Sequence, residues 1–485
     1  MKVYLVGSGP GDPELLTIKA KRVLESADII LYDYFASQAV LDLAPHAEKH
    51  YVGKRRDDHA FPQQEIGEML IEHWRTGKQV VRLKGGDPFI FGRGGEEAEA
   101  LAKAGVPFEV VPGVTAALGA GAYAGIPLTH RDHASHVAFV TGHHPESMDW
   151  SKIAFAETLV VFMGAHYYPK LAEQLIAVGR PPDTPAAAVS WGTHAKQKTA
   201  VGTIATLAER MKEAGVASPA MIYIGGVANL SSQLNWFEKL PLHGVRIAIL
   251  RPKAQSDAML QHLRALGAEP IEYPVIEITP PSSYEALDQA IESLPQYDWL
   301  LFTSANGVDA FRERLHKSPY DVRRIRAKIA AIGPATKAAI EAMSLKVDLC
   351  PPEYVAESLA TAMQGESLEG KRILLPQAAV ARDTAPKALR DLGATVDVVE
   401  AYRTLPPTQH PGEFPGADWI VFTSSSTVKN FLALAGPEPL KQSKLASIGP
   451  ITSETLRKHG FEPTLEATPH TTEGIVDAIR QHHSS

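Results

Sequence analysis

Arg82-Leu83-Lys84-Gly85-Gly86-Asp87-Pro88-Phe89-Ile90-Phe91-Gly92-Arg93-Gly94-Gly95-Glu96-Glu97 is the stretch that decides the fold of this chain, and it follows a short apolar run. Five of its residues are glycines, which let backbone N–H and C=O groups approach a ligand and tolerate positive φ. Asp87 and the pair Arg93 and Glu96 add directional polar contacts. A glycine-rich surface turn is the plainer interpretation of this composition. Placed after an apolar strand, the run favours a ligand site.

The amino terminus predicts an α/β fold. Residues 2–6 form an apolar strand pattern, residues 15–27 have helical apolar spacing, and residues 28–32 predict another strand. The intervening loop superficially resembles the dinucleotide fingerprint G-x-G-x-x-G. That fingerprint needs glycine where Asp12 stands, and Pro10 lacks the amide that would face a pyrophosphate. The sequence therefore argues against an NAD site.

Length and composition limit the class of protein. With 485 residues the chain is expected to form two or more domains, and a net charge of −7 argues against a nucleic-acid partner. The single Cys350 excludes an internal disulfide framework and a cysteine-rich metal site. The histidines between His130 and His144 have no regular ligand spacing, so no metal is predicted. Without an apolar run of membrane-spanning length, the protein is expected to be soluble and cytoplasmic, with no membrane partner.

The second half contains an internal repeat. A new strand pattern at residues 245–250 predicts a domain junction at residues 240–244. Thr303-Ser304 returns as Thr423-Ser424, Ile332-Gly333-Pro334 returns as Ile448-Gly449-Pro450, and the segment 263–268 returns at 389–394. Two such copies predict two doubly wound lobes of parallel sheet. The serine and threonine hydroxyls after each strand suit anionic groups, although simple helix capping explains each one equally well alone.

The first half resembles uroporphyrinogen-III C-methyltransferase, of the tetrapyrrole methylase family. Besides the glycine run, the resemblance rests on Val6-Gly7-Ser8-Gly9-Pro10-Gly11-Asp12-Pro13, Val111-Pro112-Gly113-Val114-Thr115-Ala116 and Gly125-Ile126-Pro127-Leu128-Thr129-His130-Arg131. It implies a two-lobed methyltransferase at residues 1–240, with lobes at about 1–113 and 114–240. It also implies S-adenosyl-L-methionine (SAM) as cofactor, S-adenosyl-L-homocysteine as product, and a homodimer. A related methylase acting on a later corrinoid or on RNA is the enzymatic alternative.

The same resemblance assigns site residues. Asp33 and Lys54 match the family's acid/base pair, and Arg93 is a further catalytic candidate. Glu96 and Arg131 match residues that face the tetrapyrrole. If the resemblance is set aside, the plainer interpretation of Asp33 is a turn-forming residue at a strand end. Lys54 and Arg131 would then be surface charges, and Met163 would be a residue of the core. The positions that match the SAM pocket between the two lobes are Pro10, Gly85, Gly86, Asp87, Ile90, Thr115, Ala116, Met163 and Gly192.

The second half, residues 243–485, resembles uroporphyrinogen-III synthase. Arg251-Pro252, Thr303-Ser304-Ala305-Asn306, Glu400-Ala401-Tyr402-Arg403-Thr404 and Phe422-Thr423-Ser424 carry the match. The resemblance makes Tyr402 the best acid for assisting loss of hydroxide, with interlobe packing as an equal alternative. Arg251, Ser304 and Thr423 are candidate carboxylate contacts.

Together the two resemblances imply a bifunctional enzyme with small-molecule tetrapyrrole substrates. Hydroxymethylbilane would be cyclised to uroporphyrinogen III with ring inversion, and two methyl groups from SAM would then give precorrin-2 for the siroheme or cobalamin branch. Since no dehydrogenase or ferrochelatase segment precedes residue 1, oxidation and iron insertion are expected to fall to other proteins. A methyltransferase fused to a binding-only tetrapyrrole sensor is the alternative.

Overall fold

The computed structural model describes residues 1–53, 62–252, 255–351, 361–363, 365–381, 383–408 and 410–484. The chain divides into two units. The first comprises Met1–Arg246, Gln261–Glu269 and Arg480–Ser485, and the second comprises Ile247–Leu260 and Pro270–Ile479. Within the described residues, no helix is both long and apolar enough to cross a membrane.

The first lobe of the first unit is a five-stranded sheet in which every pairing is parallel. Apolar side chains alternate along these strands, so that one buried cluster covers each face of the sheet. The strands are β1 (Val3–Gly7), β2 (Ile29–Tyr32), β3 (Glu48–Tyr51), β4 (Val80–Lys84) and β5 (Phe108–Val111), in the spatial order β3-β2-β4-β1-β5. The helices are α1 (Ile18–Glu25), α2 (Gln38–Leu41), α3 (Gln63–Arg75) and α4 (Gly94–Lys103).

The second lobe of the first unit is a mixed sheet, covered on its two faces by separate apolar clusters. Its strands are β6 (Val137–Thr141), β7 (Thr158–Phe162), β8 (Pro185–Ser190), β9 (Lys198–Thr203) and β10 (Ala220–Ile224), in the order β6-β7-β10-β8-β9. Only β6 and β7 pair in parallel, while the other pairs are antiparallel. The helices are α5 (Ala116–Tyr123), α6 (Tyr168–Ala177), α7 (Leu207–Ala214) and α8 (Ser231–Leu234).

The chain from residue 246 onward contains two further sheets. This region lies in the second unit, apart from Arg246, Gln261–Glu269 and Arg480–Ser485, which belong to the first unit. Its strands are β11 (Arg246–Ile249), β12 (Glu269–Glu272), β13 (Glu277–Thr279), β14 (Trp299–Phe302), β15 (Lys328–Ala331), β16 (Arg372–Ala378), β17 (Thr395–Leu405), β18 (Trp419–Phe422), β19 (Lys444–Ser447) and β20 (Leu465–Glu466). Its helices are α9 (Asp257–Ala265), α10 (Glu285–Glu292), α11 (Ala305–Lys317), α12 (Pro334–Glu341), α13 (Thr384–Asp391), α14 (Ser425–Ala435), α15 (Glu438–Gln442), α16 (Pro450–Lys458) and α17 (Thr472–Ser484).

These two sheets share the spatial order of four strands, with β12, β11, β18 and β19 of one in the places of β17, β16, β14 and β15 of the other. Along the chain the corresponding strands follow one another in a different order. One sheet runs β12-β11-β18-β19-β20, and the other runs β13-β17-β16-β14-β15. The motif after β14 repeats after β18, and an isolated parallel bridge from Ala330 to Leu349 repeats in the pairing of Ala446 with Leu465. Both partners of that bridge shift by the same number of residues, since 446 − 330 and 465 − 349 are both 116. The predicted α/β class with two doubly wound lobes is confirmed, with one antiparallel edge strand, β13, added to the second lobe.

Candidate functional site

Three loops of the first lobe meet at the carboxyl ends of β1, β4 and β5. The amide of Ser8 donates to the carbonyl of Lys84 at 2.8 Å, and the amide of Gly86 donates to the carbonyl of Gly9 at 2.8 Å. A Cβ added at Gly7 would lie 2.5 Å from the Gly86 oxygen, and one at Gly113 would lie 2.2 Å from the same atom. These backbones are therefore in contact only because Gly7 and Gly113 lack side chains.

Asp87 links two of these loops. Its Oδ1 accepts from the amide of Phe89 at 2.8 Å, and its Oδ2 accepts from the amide of Gly113 at 3.0 Å. Gly85 lies beside it, where a Cβ would approach the Cβ of Phe35 to 2.4 Å. The carboxylate of Asp87 thus fixes the shape of the glycine-rich junction at the edge of the sheet.

Helix α5 brings the second lobe against this junction. A Cβ at Gly119 would lie 2.4 Å from Cγ of Pro10, and a Cβ at Gly192 would lie 2.3 Å from Cβ of Ala120. Thr115 is buried and directly precedes α5, whose first residue is Ala116. Ile90 packs against the apolar cluster on the same side of the second lobe. The structure therefore brings the predicted pocket residues of both lobes together.

Polar contacts also join the lobes. The hydroxyl of Tyr123 donates to Oδ2 of Asp12 at 2.6 Å, and the amide of Asp12 donates to Oγ1 of Thr193 at 3.0 Å. Burial, reinforced by the Asp12 carboxylate, raises the pKa of Tyr123. Tyr123 therefore remains a hydrogen-bond donor to Asp12 at neutral pH. Thr193 was not predicted, because nothing in its local sequence marks it as a contact across the lobes.

Backbone strain is concentrated around this junction. Six non-glycine residues among those described have positive φ, and five of them lie in these loops: Phe91, Arg93, Met163, Trp191 and Thr193. Such conformations cost free energy and persist where the surrounding structure imposes them, often at functional sites. Met163 is 52% exposed, which excludes the alternative that it is a core residue.

Asp33 lies at the end of β2 beside a buried charge network. Arg82 Nη2 lies 3.4 Å from Asp33 Oδ2, and Arg82 Nε donates to Glu97 Oε1 at 3.1 Å. Lys84 Nζ reaches the same Glu97 oxygen at 2.9 Å. Burial, with the charge of Arg82 as a second cause, lowers the pKa of Lys84. Lys54, the predicted partner of Asp33, lies outside the described residues.

This network was not predicted, although its signal was present. Arg82 and Lys84 are two positions apart on β4, so they share one face of the strand. Two charged residues in a strand that is buried throughout require a buried counter-charge. Glu97, in the helix that follows, supplies it.

The predicted tetrapyrrole contacts are more exposed. Arg93 and Glu96 pair with each other at 3.0 Å, with side chains 59% and 52% exposed. Arg131 is exposed in the loop before β6. Among the residues that the structure describes, no hydrogen bond or ion pair joins Arg131 to Arg93 or Glu96, so of these three side chains Arg93 and Glu96 are brought into contact.

In the second unit, Tyr402 and Ser304 are brought together. Tyr402 is 8% exposed, and its hydroxyl lies 2.9 Å from Oγ of Ser304. Ser304 also caps α11 by accepting from the amide of Gly307 at 3.1 Å. The hydroxyl of Ser304 thus serves the predicted capping role and contacts the tyrosine as well.

The other two predicted residues also form a pair. Arg251 Nε donates to Oγ1 of Thr423 at 2.9 Å, and burial lowers the pKa of Arg251. Nearby, Gln255 Nε2 donates to Oδ1 of Asn306 at 2.9 Å, which connects the loop after β11 to the first turn of α11. Gln255 was missed because its partner is 51 residues away and no local pattern marks it.

The arrangement defines a two-lobed α/β methylase unit followed by a two-lobed, doubly wound unit, and comparisons with known proteins agree. Residues 2–208 match the family described as Tetrapyrrole (Corrin/Porphyrin) Methylases, and residues 257–477 match Uroporphyrinogen-III synthase HemD. The porphyrin biosynthesis protein HemD of Ruminiclostridium josui is 38% identical over 98% of this chain and 97% of its own length. The chain belongs to this family of fused porphyrin biosynthesis proteins, and it is an enzyme with a methyltransferase part and a synthase part.

Two further similarities concern the first half. Siroheme synthase of Stutzerimonas stutzeri is 52% identical over 49% of this chain, which spans only 52% of that relative's length. The crystal structure of uroporphyrin-III C-methyl transferase from Thermus thermophilus, complexed with S-adenyl homocysteine, is 42% identical. It covers 47% of this chain and 100% of its own, with a TM-score of 0.42.

Proposed function

We propose that the chain cyclises hydroxymethylbilane to uroporphyrinogen III and then methylates it twice to precorrin-2. The proposal assigns the methylation to residues 1–240 and the cyclisation to residues 243–485. The observation that carries it is the glycine junction in the first unit, where Asp87, α5 and the Gly192 loop converge beside Asp33. The family membership of both halves supports it, because the product of the synthase reaction is the substrate of the methyltransferase.

The residues at the junction fit SAM. This cofactor has a sulfonium and a carboxylate but no phosphate, so its site needs open backbone and a few polar anchors. The junction offers Gly86, where the nearest atom to an added Cβ lies 3.4 Å away, and the half-exposed side chain of Met163. At Gly85 the backbone packs directly against Phe35. When bound, SAM supplies the methyl group. Pro10, Ile90, Thr115, Ala116 and Gly192 would surround it from both lobes.

The chain's own contribution to methylation is alignment and proton transfer. The residues of both lobes would hold the reacting pyrrole carbon in line with the methyl group that the cofactor supplies, so positioning matters more than a strong nucleophile. The macrocycle becomes positively charged and must lose a proton, which the carboxylate of Asp33 can accept. Arg93 and Arg131 are suited to hold the acidic side chains of the substrate.

Cyclisation needs the second unit to hold a flexible linear chain and to assist loss of hydroxide. The proposal assigns the proton donor role to Tyr402, oriented by Ser304, and assigns anion contacts to Arg251 and Thr423. Ring inversion then depends on the substrate's conformation rather than on a strong catalytic group.

The test is anaerobic incubation of the purified protein with hydroxymethylbilane, with and without SAM, followed by chromatography of the oxidised products. We expect isomer III without SAM and a dimethylated product with it. Isomer I alone would mean that the second unit does not catalyse closure, and it would favour a binding-only sensor. Supplying uroporphyrinogen III directly tests the methyltransferase independently of the synthase.

A further inference from the structure

The guanidinium of Arg82 is held in one orientation by groups from three elements. Its Nε donates to Glu97 Oε1 on α4 at 3.1 Å. Its Nη1 donates to the carbonyls of Leu83 at 3.0 Å and Leu31 at 3.4 Å, on β4 and β2. The side chain is 4% exposed, so water does not compete for these bonds. Because the guanidinium is planar, these contacts also fix the direction of Nη2.

Nη2 is directed at Asp33. It lies 3.4 Å from Oδ2, while Oδ1 of Asp33 accepts from the amide of Phe35 at 3.3 Å. The Asp33 side chain is 23% exposed, so it is reachable by a ligand, whereas Arg82 is not. The accessible carboxylate of Asp33 therefore contacts the buried Arg82 guanidinium through one oxygen and the amide of Phe35 in its own loop through the other.

Glu97 holds Arg82 in place. Oε1 of Glu97 accepts from Arg82, from Lys84 Nζ at 2.9 Å and from Gln63 Nε2 at 2.9 Å, and the Glu97 side chain is fully buried. Two cations and two carboxylates balance in this network, so each charge has a partner. Buried ion pairs often stabilise a protein no more than apolar side chains of similar size would. Stability alone therefore does not account for this network.

From this geometry we propose that Arg82 is a positioning residue for methyl transfer, which orients the Asp33 carboxylate toward the reacting macrocycle and is itself fixed by Glu97, the carboxylate that Lys84 also binds. The inference rests on the proposed role of Asp33 in the methylation. A shift of the carboxylate by a fraction of an ångström suffices to slow proton transfer, so the effect falls on the catalytic step and not on cofactor affinity.

The experiment is a double-mutant cycle in the full chain, with Arg82→Lys, Asp33→Asn and the double variant. Arg82→Lys keeps a cation for Glu97, but an ammonium cannot also reach Asp33 in the same orientation. We expect Arg82→Lys to lower kcat for methylation of supplied uroporphyrinogen III on the order of 10- to 100-fold, with SAM affinity within about twofold. In the Asp33→Asn background the same change should cost less than about threefold.

Arg180→Lys is the matched control. Arg180 is a buried arginine of the second lobe whose guanidinium donates to the backbone carbonyls of Ala154 and Ala156. It should leave kcat within about twofold of the parent. An equal loss from Arg82→Lys with and without Asp33 would overturn the inference, because a purely structural role is additive.

A second measurement separates this inference from the proposed function. Denaturant unfolding of the parent, the two single variants and the double variant measures the coupling free energy between Arg82 and Asp33 without any substrate. If the parent protein does not methylate uroporphyrinogen III, the proposed function itself is wrong. A chain that methylates, but in which Asp33→Asn has no effect on rate, contradicts the positioning role alone.

Discussion

His194 is an example of a single residue whose burial sets a pH dependence. Its ring contacts Gly11, where a Cβ would lie 2.3 Å from Nε2, and it packs edge-on against Trp191. Burial, helped by Lys196 and opposed by Asp12, lowers the pKa of His194 from 6.5 to about 4. The folded state therefore favours the neutral ring of His194, because the ring lies between the Gly11 loop of the first lobe and the Trp191 loop of the second lobe.

This shift predicts acid destabilisation with a defined sign. Because the folded-state pKa is the lower one, the contribution of His194 is complete above pH 6.5 and is lost as the pH falls toward 4. Between pH 7 and pH 5 the loss should be about 1–2 kcal/mol. Calorimetric unfolding at both pH values should show a smaller pH dependence for His194→Gln than for the parent. The exposed His143, changed to Gln, is the control, and an unchanged pH dependence in His194→Gln would contradict the assignment.

At the scale of the element, local sequence patterns located several strands of the α/β framework. The strand predicted at residues 2–6 is β1 (Val3–Gly7), and the strand predicted at 245–250 is β11 (Arg246–Ile249). The helix predicted at 15–27 begins later, at Ile18, because Thr17 caps it by accepting from the amide of Ala20. Alternating and helical apolar spacing is a local property, and a single sequence is enough to show it.

Other features of the site depend on distant residues and were not predictable in this way. The Arg82 network needs Glu97 and Asp33 to approach from two different elements. Trp191 and Thr193 have positive φ although neither is a glycine, and the loop that contains them packs against α5. The resemblance to a known family located the candidate residues, but their hydrogen bonds required coordinates.

The contact between the Gly192 loop and α5 gives a prediction at this scale. A methyl group at Gly192 would lie 2.3 Å from Cβ of Ala120, so Gly192→Ala must push the loop away from the helix. We expect a loss of about 1–3 kcal/mol in stability, or a displaced loop with weaker SAM binding. Isothermal titration with SAM and thermal unfolding measure the two effects.

Gly95→Ala is the control, because nothing lies within 4 Å of a Cβ at that position. The control should bind SAM normally. Full SAM affinity and parental stability in Gly192→Ala would show that the loop is not held by this contact.

At the scale of the whole molecule, the order of the strands in the sheets is needed to interpret the sequence repeat in the second half. The sequence shows that two segments recur, but it does not show that β11 and β12 join β18, β19 and β20 in one sheet. The lobe between them is inserted in the chain, and its own strands appear in the permuted order. Spacing along the chain cannot distinguish this arrangement from two consecutive lobes, since both give an offset of about the same size.

Two units with separate candidate sites predict separable activities. Asp87→Ala removes the acceptor of the Phe89 and Gly113 amides and should weaken SAM binding about tenfold or more, while bilane cyclisation stays at the parental rate. Tyr402→Phe removes the hydroxyl that contacts Ser304 and should slow cyclisation only. The measurements are SAM affinity, methylation of supplied uroporphyrinogen III, and the yield of isomer III from hydroxymethylbilane.

Each variant has a matched control that makes the comparison specific. The control for Asp87→Ala is Asp183→Ala, which changes an exposed aspartate of the first unit. Tyr297→Phe removes a hydroxyl from the same apolar cluster as Tyr402, where it donates to Asp397 at 2.9 Å. If Tyr402→Phe and Tyr297→Phe slow cyclisation equally, the effect is one of packing and Tyr402 is not the proton donor. If Asp87→Ala lowers both activities in a protein that remains folded, the two sites are coupled, and the assignment of one reaction to each unit is wrong.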